Sequence, residues 1–295
     1  MPVPPPILFE DGVLEKCAYF RRVGFWLGAR APNPRPWLQN FRDPQDRTLA
    51  VYLLNSFQFL SETVCHQMFI HAFEAIPRLI LQRRAGDRPS AQLDWAKFQK
   101  RVLITHVEGE RASLTSSGHH YDRLARDLLD ISPEQIVPLH DALEGALDGR
   151  PVVFVDDFIG SGAQLIETWK KRTSIRRSFY DFTVPNPTLE AYYCPLIATE
   201  AGMAEVQSEC RGLTILPLHV LGNDYNVLEP ESSVWPLELR DAGIAMIKRV
   251  ATASGINLYG FGGLSLALAF HNSTPDATLP LFHHESNQWE PLIRR

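Results

Sequence analysis

The sequence predicts an α/β fold, in which a mainly parallel sheet carries helices on both faces and a helical N-terminal extension precedes it. From residue 101 onward, short apolar runs alternate with segments of helical spacing. Those runs are apolar throughout, as is typical of parallel strands that are buried on both faces. Before residue 100 the apolar spacing is helical instead, which indicates the extension.

The extension, residues 1–100, is expected to be mostly helical and to pack on a core domain formed by residues 101–295. The segment EKCAYFRRVGFWL predicts a short helix before a proline-rich loop. The next apolar side chains at helical spacing are Leu49, Leu53, Phe57 and Leu60. They predict one or two long helices, interrupted near Pro77 because proline disrupts a helix interior.

The core domain is predicted to be built from strands that alternate with helices. The predicted strands are residues 101–107, 152–156, 190–198 and 213–221. A loop and a helical pattern follow each of the first three. In the last third, a helix is expected to end at Gly255, and a glycine loop leads into a further strand.

The composition narrows the class of protein. Of the 295 residues 45% are hydrophobic, and the net charge of −5 argues against binding nucleic acid through the whole surface. Four widely spaced cysteines form no zinc-finger or disulfide pattern. No secretory signal pattern is found, and no apolar run reaches the roughly 20 residues of a membrane span. We therefore expect a cytoplasmic protein that does not bind a membrane.

The segment PVVFVDDFIGSGAQL is the strongest functional signal in the sequence. Asp156 and Asp157 lie at the end of a buried strand, and ligands of parallel sheets bind beyond the carboxyl ends of strands. Two adjacent carboxylates repel each other unless a vicinal diol, a metal ion or both bind them. Gly160, Ser161 and Gly162 then lead into a helix, whose N-terminus favours an anion. Together these features predict a sugar-phosphate site; neither a P-loop nor a GxGxxG motif is present.

VVFVDDFIGSGAQ resembles the PRPP-binding motif of type I phosphoribosyltransferases over its full length. The resemblance implies that Asp156 and Asp157 hold the ribose 2′- and 3′-hydroxyls, as the catalytic pair of the site. It implies a 5′-phosphate cradle formed by Phe158, Ile159, Gly160, Ser161, Gly162, Ala163 and Gln164. The sequence departs from the family in its threonines, since only Ser161 remains in the loop and Gln164 replaces a hydroxyl residue.

FVDDFIGSG and the ending GFGGLSLALAFHNSTPDATLPLFHHE resemble the divergent PRTase-CE group, over about residues 100 to 285. That group occurs in bacterial conflict and anti-phage loci, including retron systems. The resemblance implies a toxic effector and glycosyltransferase that transfers a pentosyl group from Mg–PRPP, or binds a related ribose 5-phosphate nucleotide. Nucleoprotein or protein partners of a defence system are implied as well.

Two alternatives remain open beside the phosphoribosyltransferase hypothesis. The first is a catalytically inactive nucleotide-sensing or scaffold module within a nucleoprotein defence complex. The second makes the acid pair a metal site for phosphate-ester hydrolysis, although further carboxylates at suitable positions are lacking. Magnesium is expected to arrive with PRPP, with water and phosphate as most of its ligands, rather than in a protein cage. No zinc-binding histidine spacing is present.

Three further segments have both a functional and a structural interpretation. A pyrophosphate loop could use Ser116, Ser117, Gly118 and Arg123, or Ser117 could simply cap a helix after a solvated loop. The basic run from Lys170 to Arg177 fits a solvated helix end, a mobile lid over pyrophosphate, or a contact with a nucleic-acid partner. The resemblance implies an acceptor pocket near Gly262, Gly263, His271 and Asn272, where a turn at STPD is the alternative.

Overall fold

A computed structural model describes residues 6–108, 117–183 and 189–295, with side chains for 9–108, 120–182 and 189–295. The chain divides into two compact units. The central unit is Cys65–Leu221, and the terminal unit combines Met1–Val64 with Gly222–Arg295. The division into an extension of residues 1–100 and a core domain of residues 101–295 stays a prediction.

The described residues form twelve α-helices and seven strands, each numbered in chain order. The helices are α1 Pro6–Arg22, α2 Pro34–Leu38, α3 Pro44–Ser56, α4 Glu62–Phe73, α5 Ala75–Arg83, α6 Arg88–Arg101, α7 Ser117–Leu129, α8 Leu139–Leu147, α9 Ala163–Lys170, α10 Phe179–Thr183, α11 Glu200–Glu209 and α12 Arg240–Ala253. The strands are β1 Gln58–Leu60, β2 Leu103–His106, β3 Val152–Ile159, β4 Ala191–Thr199, β5 Leu213–Ile215, β6 His219–Leu221 and β7 Leu268–Phe270.

The central unit contains a five-stranded parallel sheet in the order β2-β3-β4-β5, with β6 also paired to β4. In its register Val152 of β3 lies opposite Leu103 of β2 and Ala191 of β4. Loops and helices connect the strands, which is how parallel strands have to be joined. The predicted α/β fold with a mainly parallel sheet is confirmed.

The single strand predicted over residues 213–221 is in fact two strands. β5 pairs with the beginning of β4 and β6 with its end. Pro217 lies in the interruption between them. Because proline has no N–H to donate to a strand ladder, it breaks the pairing that the apolar run predicted.

Helices cover both faces of the central sheet, as predicted. On one face Phe154 packs against Trp169 of α9 and Phe179 of α10, with ring centroids 5.8 and 5.1 Å away. On the other face Phe98 of α6 meets Tyr192 edge to face at 5.8 Å. We call these the α9 face and the α7 face, because α7 also contacts β2 and β3.

The terminal unit has an aromatic core of its own. Trp37 stacks on Phe282 with ring centroids 5.6 Å apart, and Phe41 meets Trp289 edge to face at 5.5 Å. β1 and β7 form a two-stranded parallel sheet, in which Gln58 lies opposite Leu268. The strand predicted after the glycine loop is therefore present as β7.

The segment predicted as one or two long helices contains three helices and a strand. α3 ends at Ser56, and the pairing of β1 with β7 takes the following residues out of the helical periodicity. Phe57 has extended dihedrals, with φ −65° and ψ 125°. Pro77 lies in the first turn of α5, where a missing N–H costs nothing because first-turn N–H groups have no partner within the helix.

Candidate functional site

The acid pair lies within β3, not at its end. β3 continues to Ile159, and its register with β4 holds on both sides of the pair, from Asp156 opposite Pro195 to Phe158 opposite Ile197. The predicted end of this strand at residue 156 is therefore three residues too early. Since successive strand residues point to opposite faces, Asp156 projects toward the α9 face and Asp157 toward the α7 face.

Asp156 is held among buried groups on the α9 face, with 3% of its surface exposed. Its Oδ1 accepts a hydrogen bond of 2.9 Å from the backbone N–H of Asp157. The hydroxyl of Tyr193 donates to its Oδ2 over a longer 3.4 Å. Burial, together with the charges of Asp156 and Asp157, raises the pKa of Tyr193 well above its usual value, so this phenol stays a neutral donor.

Asp157 is matched by a second phenol on the α7 face. Tyr121 of α7 is fully buried, and burial followed by the charge of Asp157 raises its pKa well above the usual value. Its hydroxyl has no hydrogen-bond partner in residues 6–108, 117–183 and 189–295. The acid pair therefore has one neutral tyrosine on each side of the sheet.

The loop after β3 is anchored to the beginning of α11. The hydroxyl of Thr199 donates to the carbonyl of Gly160 over 2.6 Å and accepts from the N–H of Gly202 over 3.0 Å. Gly162 has a left-handed φ of +81°, and a Cβ there would lie 2.7 Å from Val206. Only glycine meets both conditions at position 162 without strain.

The beginning of α9 completes the predicted phosphate cradle. Ala163 and Gln164 are its first two residues, and first-turn N–H groups of a helix point outward without a partner inside it. The N–H of Ala163 reaches the Ser161 hydroxyl only at 3.4 Å, so this contact is weak. Phe158 is half-buried and Ile159 buried. The predicted residues 156–164 thus form one contiguous strand, loop and helix start.

A histidine–carboxylate pair at the same edge of the sheet was not predicted. His106 ends β2, and its Nδ1 lies 2.7 Å from Oδ2 of Asp122 on α7. The hydrogen bond to Asp122 raises the pKa of His106, against the opposing effect of burial. His106 lies opposite Val155, so it shares the α7 face with Asp157. In the sequence, the only signal for this pair is that the apolar run RVLITHV contains a histidine near its end.

The candidate pyrophosphate loop lies mainly outside the described part of the chain. Ser116 falls in the undescribed segment, and Ser117 and Gly118 begin α7 without described side chains. Arg123 is exposed on α7, and its role in the loop stays a prediction.

The basic run begins where α9 ends. Lys170 pairs with Glu209, and Lys171 pairs with Glu108, which follows β2. Lys171 through Ser174 also line a pocket of about 350 Å³ together with Glu108, Leu139 and His140. These pairs fit a solvated helix end as well as a lid, so both interpretations stand.

The candidate acceptor residues belong to the terminal unit. Gly262 and Gly263 have left-handed φ values of +69° and +75°. The N–H of His271 donates to the carbonyl of Leu60 over 2.9 Å, and Arg30 donates to the carbonyl of Asn272 over 2.6 Å. These are contacts of a loop after β7, and the acceptor role stays a prediction.

The described residues do not by themselves meet the requirements of a metal site. Across residues 6–108, 117–183 and 189–295, no three histidine, cysteine or acidic side chains are grouped so that they could hold an ion. A magnesium ion at this site would need oxygen ligands from its phosphate partner and from water.

The inner strand β3 of a parallel sheet carries the acid pair, and a Gly-Ser-Gly loop and a helix follow it. This arrangement defines a phosphoribosyltransferase-like protein. The chain belongs to the PRTase-CE family, whose model matches residues 34–295. The match begins well before residue 100, so the family domain includes most of the predicted extension. No curated protein and no solved structure shows a significant match. Within the described helices, none is long and apolar enough to cross a membrane.

Proposed function

We propose that the protein binds Mg–PRPP, or a nucleotide with a ribose 5-phosphate group, at the carboxyl edge of the central sheet. The observation that carries this proposal is the unbroken order of acid pair, Gly-Ser-Gly loop and helix start over residues 156–164. Asp156 and Asp157 would accept hydrogen bonds from the ribose hydroxyls. The N–H groups that begin α9 would receive the 5′-phosphate.

The reaction that fits this site is displacement of pyrophosphate at the anomeric carbon of the ribose, through an oxocarbenium-like state. Such a reaction depends on positioning and on charge stabilisation, so no covalent nucleophile is required. Magnesium belongs to the substrate in this proposal, bound by diphosphate oxygens and water, and it would neutralise charge on the leaving group. The protein would act as a pentosyl transferase.

His106 is our candidate for accepting the proton of the incoming nucleophile. When its Nδ1–H donates to Asp122, its Nε2 carries the lone pair that a general base needs. Asp122 would stabilise the imidazolium that forms when His106 takes the proton, and the same hydrogen bond is what raises the pKa of His106. Its position beside β3, on the face of Asp157, supports this role.

Binding can be tested by calorimetric titration of Mg–PRPP into the wild-type protein and the double variant Asp156→Asn/Asp157→Asn. We expect binding to the wild type and a loss of roughly a hundredfold or more in the variant, because two charged acceptors are removed. Asp148→Asn, an exposed acid of the central unit, is the matched control and should bind normally. Equal affinity in the double variant would exclude the assigned ribose contacts.

Catalysis requires a separate assay, in which pyrophosphate release is measured over a panel of nucleobases. Turnover that the double variant lacks supports the transferase. Binding without release for every acceptor supports the second candidate, a nucleotide-sensing or scaffold module. One observation favours that candidate: the two acids lie in a regular strand and point to opposite faces of the sheet. Both carboxylates could bind one ribose only if the backbone conformation of the strand changed locally.

For the biological role we propose a toxic effector of a bacterial anti-phage system of the retron type, held in check by nucleoprotein or protein partners. Its support is the membership in PRTase-CE. Induced expression in a bacterial host should arrest growth with the wild-type protein and not with Asp156→Asn/Asp157→Asn. Equal growth with both proteins would count against toxicity from this site.

A further inference from the structure

A second pocket of the central unit lies at the opposite edge of the sheet from the acid pair. It has a volume of about 400 Å³. Pro151 and Glu190 line it, and they precede β3 and β4 directly. Arg101, another lining residue, precedes β2 by two positions. The pocket therefore belongs to the amino-terminal edge of the parallel strands, away from the site described above.

The lining of this pocket is strongly basic, although the protein as a whole carries a net charge of −5. The segment from Ala75 to Arg101 holds seven basic and two acidic residues. The charged side chains that line the pocket are Arg83, Arg84, Lys97, Arg101, Asp94 and Glu190. Four positive charges thus face two negative ones, so the lining attracts anions.

The two carboxylates are each engaged by one arginine. Arg84 donates to Asp94 over 2.6 Å, and Arg83 lies 3.4 Å from Glu190. Arg101 donates to the neutral carbonyl of Gly149 over 2.8 Å. The surplus positive charge of the lining is therefore concentrated on Lys97 and Arg101, both on the last turns of α6.

The remaining lining contributes an apolar wall and lies beside a tight turn. Phe98 forms an apolar wall, supported by Trp95 in a stacked arrangement with centroids 5.2 Å apart. The turn between α5 and α6 that follows Arg84 is tight, with left-handed φ values of +50° at Ala85 and +85° at Gly86. A non-glycine residue in that conformation is rare and is often found at binding sites.

We propose that this pocket, at the amino-terminal edge of the central sheet, binds a small phosphorylated anion with two or more negative charges. Guanidinium and ammonium groups recognise phosphate through short, charge-assisted hydrogen bonds, and arginine does so bidentately. The volume lies in the range of small-molecule sites. The ligand would occupy a site separate from the acid pair, and its binding does not depend on the function proposed for that pair.

The test is calorimetric titration with inorganic tripolyphosphate, in EDTA so that magnesium-dependent binding at the acid pair does not contribute. The full-length wild-type protein should bind, and Lys97→Met/Arg101→Met should bind at least roughly tenfold more weakly, since two charged donors are lost. Lys100→Met is the matched control on the same helix, outside the pocket lining, and should stay within about twofold of the wild type. Asp156→Asn/Asp157→Asn should bind as the wild type does.

A second variant keeps the result interpretable if the double methionine variant folds poorly. Lys97→Arg/Arg101→Lys preserves both charges and should retain binding, with circular dichroism as the check on folding for every variant. No binding by the wild type at millimolar tripolyphosphate overturns the proposal, as does equal affinity in Lys97→Met/Arg101→Met. Binding of a single-stranded oligonucleotide without binding of tripolyphosphate overturns it too, because the surface would then recognise nucleic acid.

Discussion

At the scale of single residues, the acid pair is defined by two tyrosines that differ in their hydrogen bonding. Tyr193 donates to Asp156, whereas the hydroxyl of Tyr121 finds no partner among the described residues. Both phenols are buried and kept neutral beside carboxylates. Removing a satisfied and an unsatisfied hydroxyl should therefore have opposite consequences.

Tyr193→Phe is expected to lower the free energy of unfolding by up to about 1 kcal/mol, because a buried carboxylate loses a long hydrogen bond. Tyr121→Phe is expected to leave it unchanged or raise it by up to about 1 kcal/mol, because no hydrogen bond is lost. Urea denaturation of both variants measures the difference. A larger loss for Tyr121→Phe would mean that its hydroxyl has a partner that contributes to stability.

His106 and Asp122 should make stability depend on pH. The pKa of His106 is raised in the folded protein, mainly by Asp122 and also by Glu108. A raised histidine pKa stabilises the fold below the unfolded value of about 6.5, and this contribution is lost as pH rises through the folded pKa. His106→Gln should therefore destabilise the fold more near pH 5.5 than near pH 8.5. Denaturation curves at both pH values would contradict this if the cost were the same.

At the scale of elements, the loop after β3 depends on how closely α11 approaches it. A Cβ on Gly202 would lie 2.0 Å from the carbonyl oxygen of Gly160 and 2.9 Å from Ile159. The phosphate loop and the beginning of α11 therefore pack backbone to backbone. A side chain at position 202 has to displace the loop on which the proposed phosphate site depends.

Gly202→Ala is expected to destabilise the protein by about 1 to 3 kcal/mol, as overpacking does. Gly12→Ala is the matched helix substitution, because nothing lies within 4 Å of its Cβ position. It should instead stabilise by about 0.5 to 1 kcal/mol through helix propensity. Thermal denaturation of both variants measures the two effects. If Gly12→Ala were also destabilised, helix propensity would not explain the expected difference in stability between the two variants.

Elements with local signals could be predicted from the sequence, and elements that depend on distant partners could not. The apolar runs of β2, β3 and β4 and the segment 156–164 are contiguous, so their pattern is visible along the chain. Leu60 continues a helical spacing in the sequence, but it is a strand residue because it pairs with Phe270, far along the chain. Local spacing cannot show such a partner. His106 and Asp122 come together through the packing of α7 on β2, which no local spacing encodes.

At the scale of the whole molecule, each compact unit buries its own thiols. Cys17 is in the terminal unit, and Cys65, Cys194 and Cys210 are in the central unit. All four are buried, and burial raises the pKa of Cys17 to about 11 and that of Cys210 to about 12. Thiols with such pKa values hold very little thiolate near neutral pH, and the thiolate is the reactive form.

We therefore expect a thiol reagent to label the native protein slowly at about pH 7.5 and all four cysteines rapidly in denaturant. Mass spectrometry of digested samples, taken along a urea series, assigns each labelled cysteine. Cys17 reports on the terminal unit and the other three on the central unit. Rapid labelling of any of the four under native conditions would contradict the burial of these thiols.

The division of the chain also has a consequence for synthesis on the ribosome. The terminal unit is discontinuous, and its strand pair joins Gln58 to Leu268. The central unit is one continuous stretch, so all of its residues emerge before β7 exists. Contacts between distant residues form late. The nascent chain can therefore complete the sheet that carries the acid pair before β7 has been synthesised and can pair with β1.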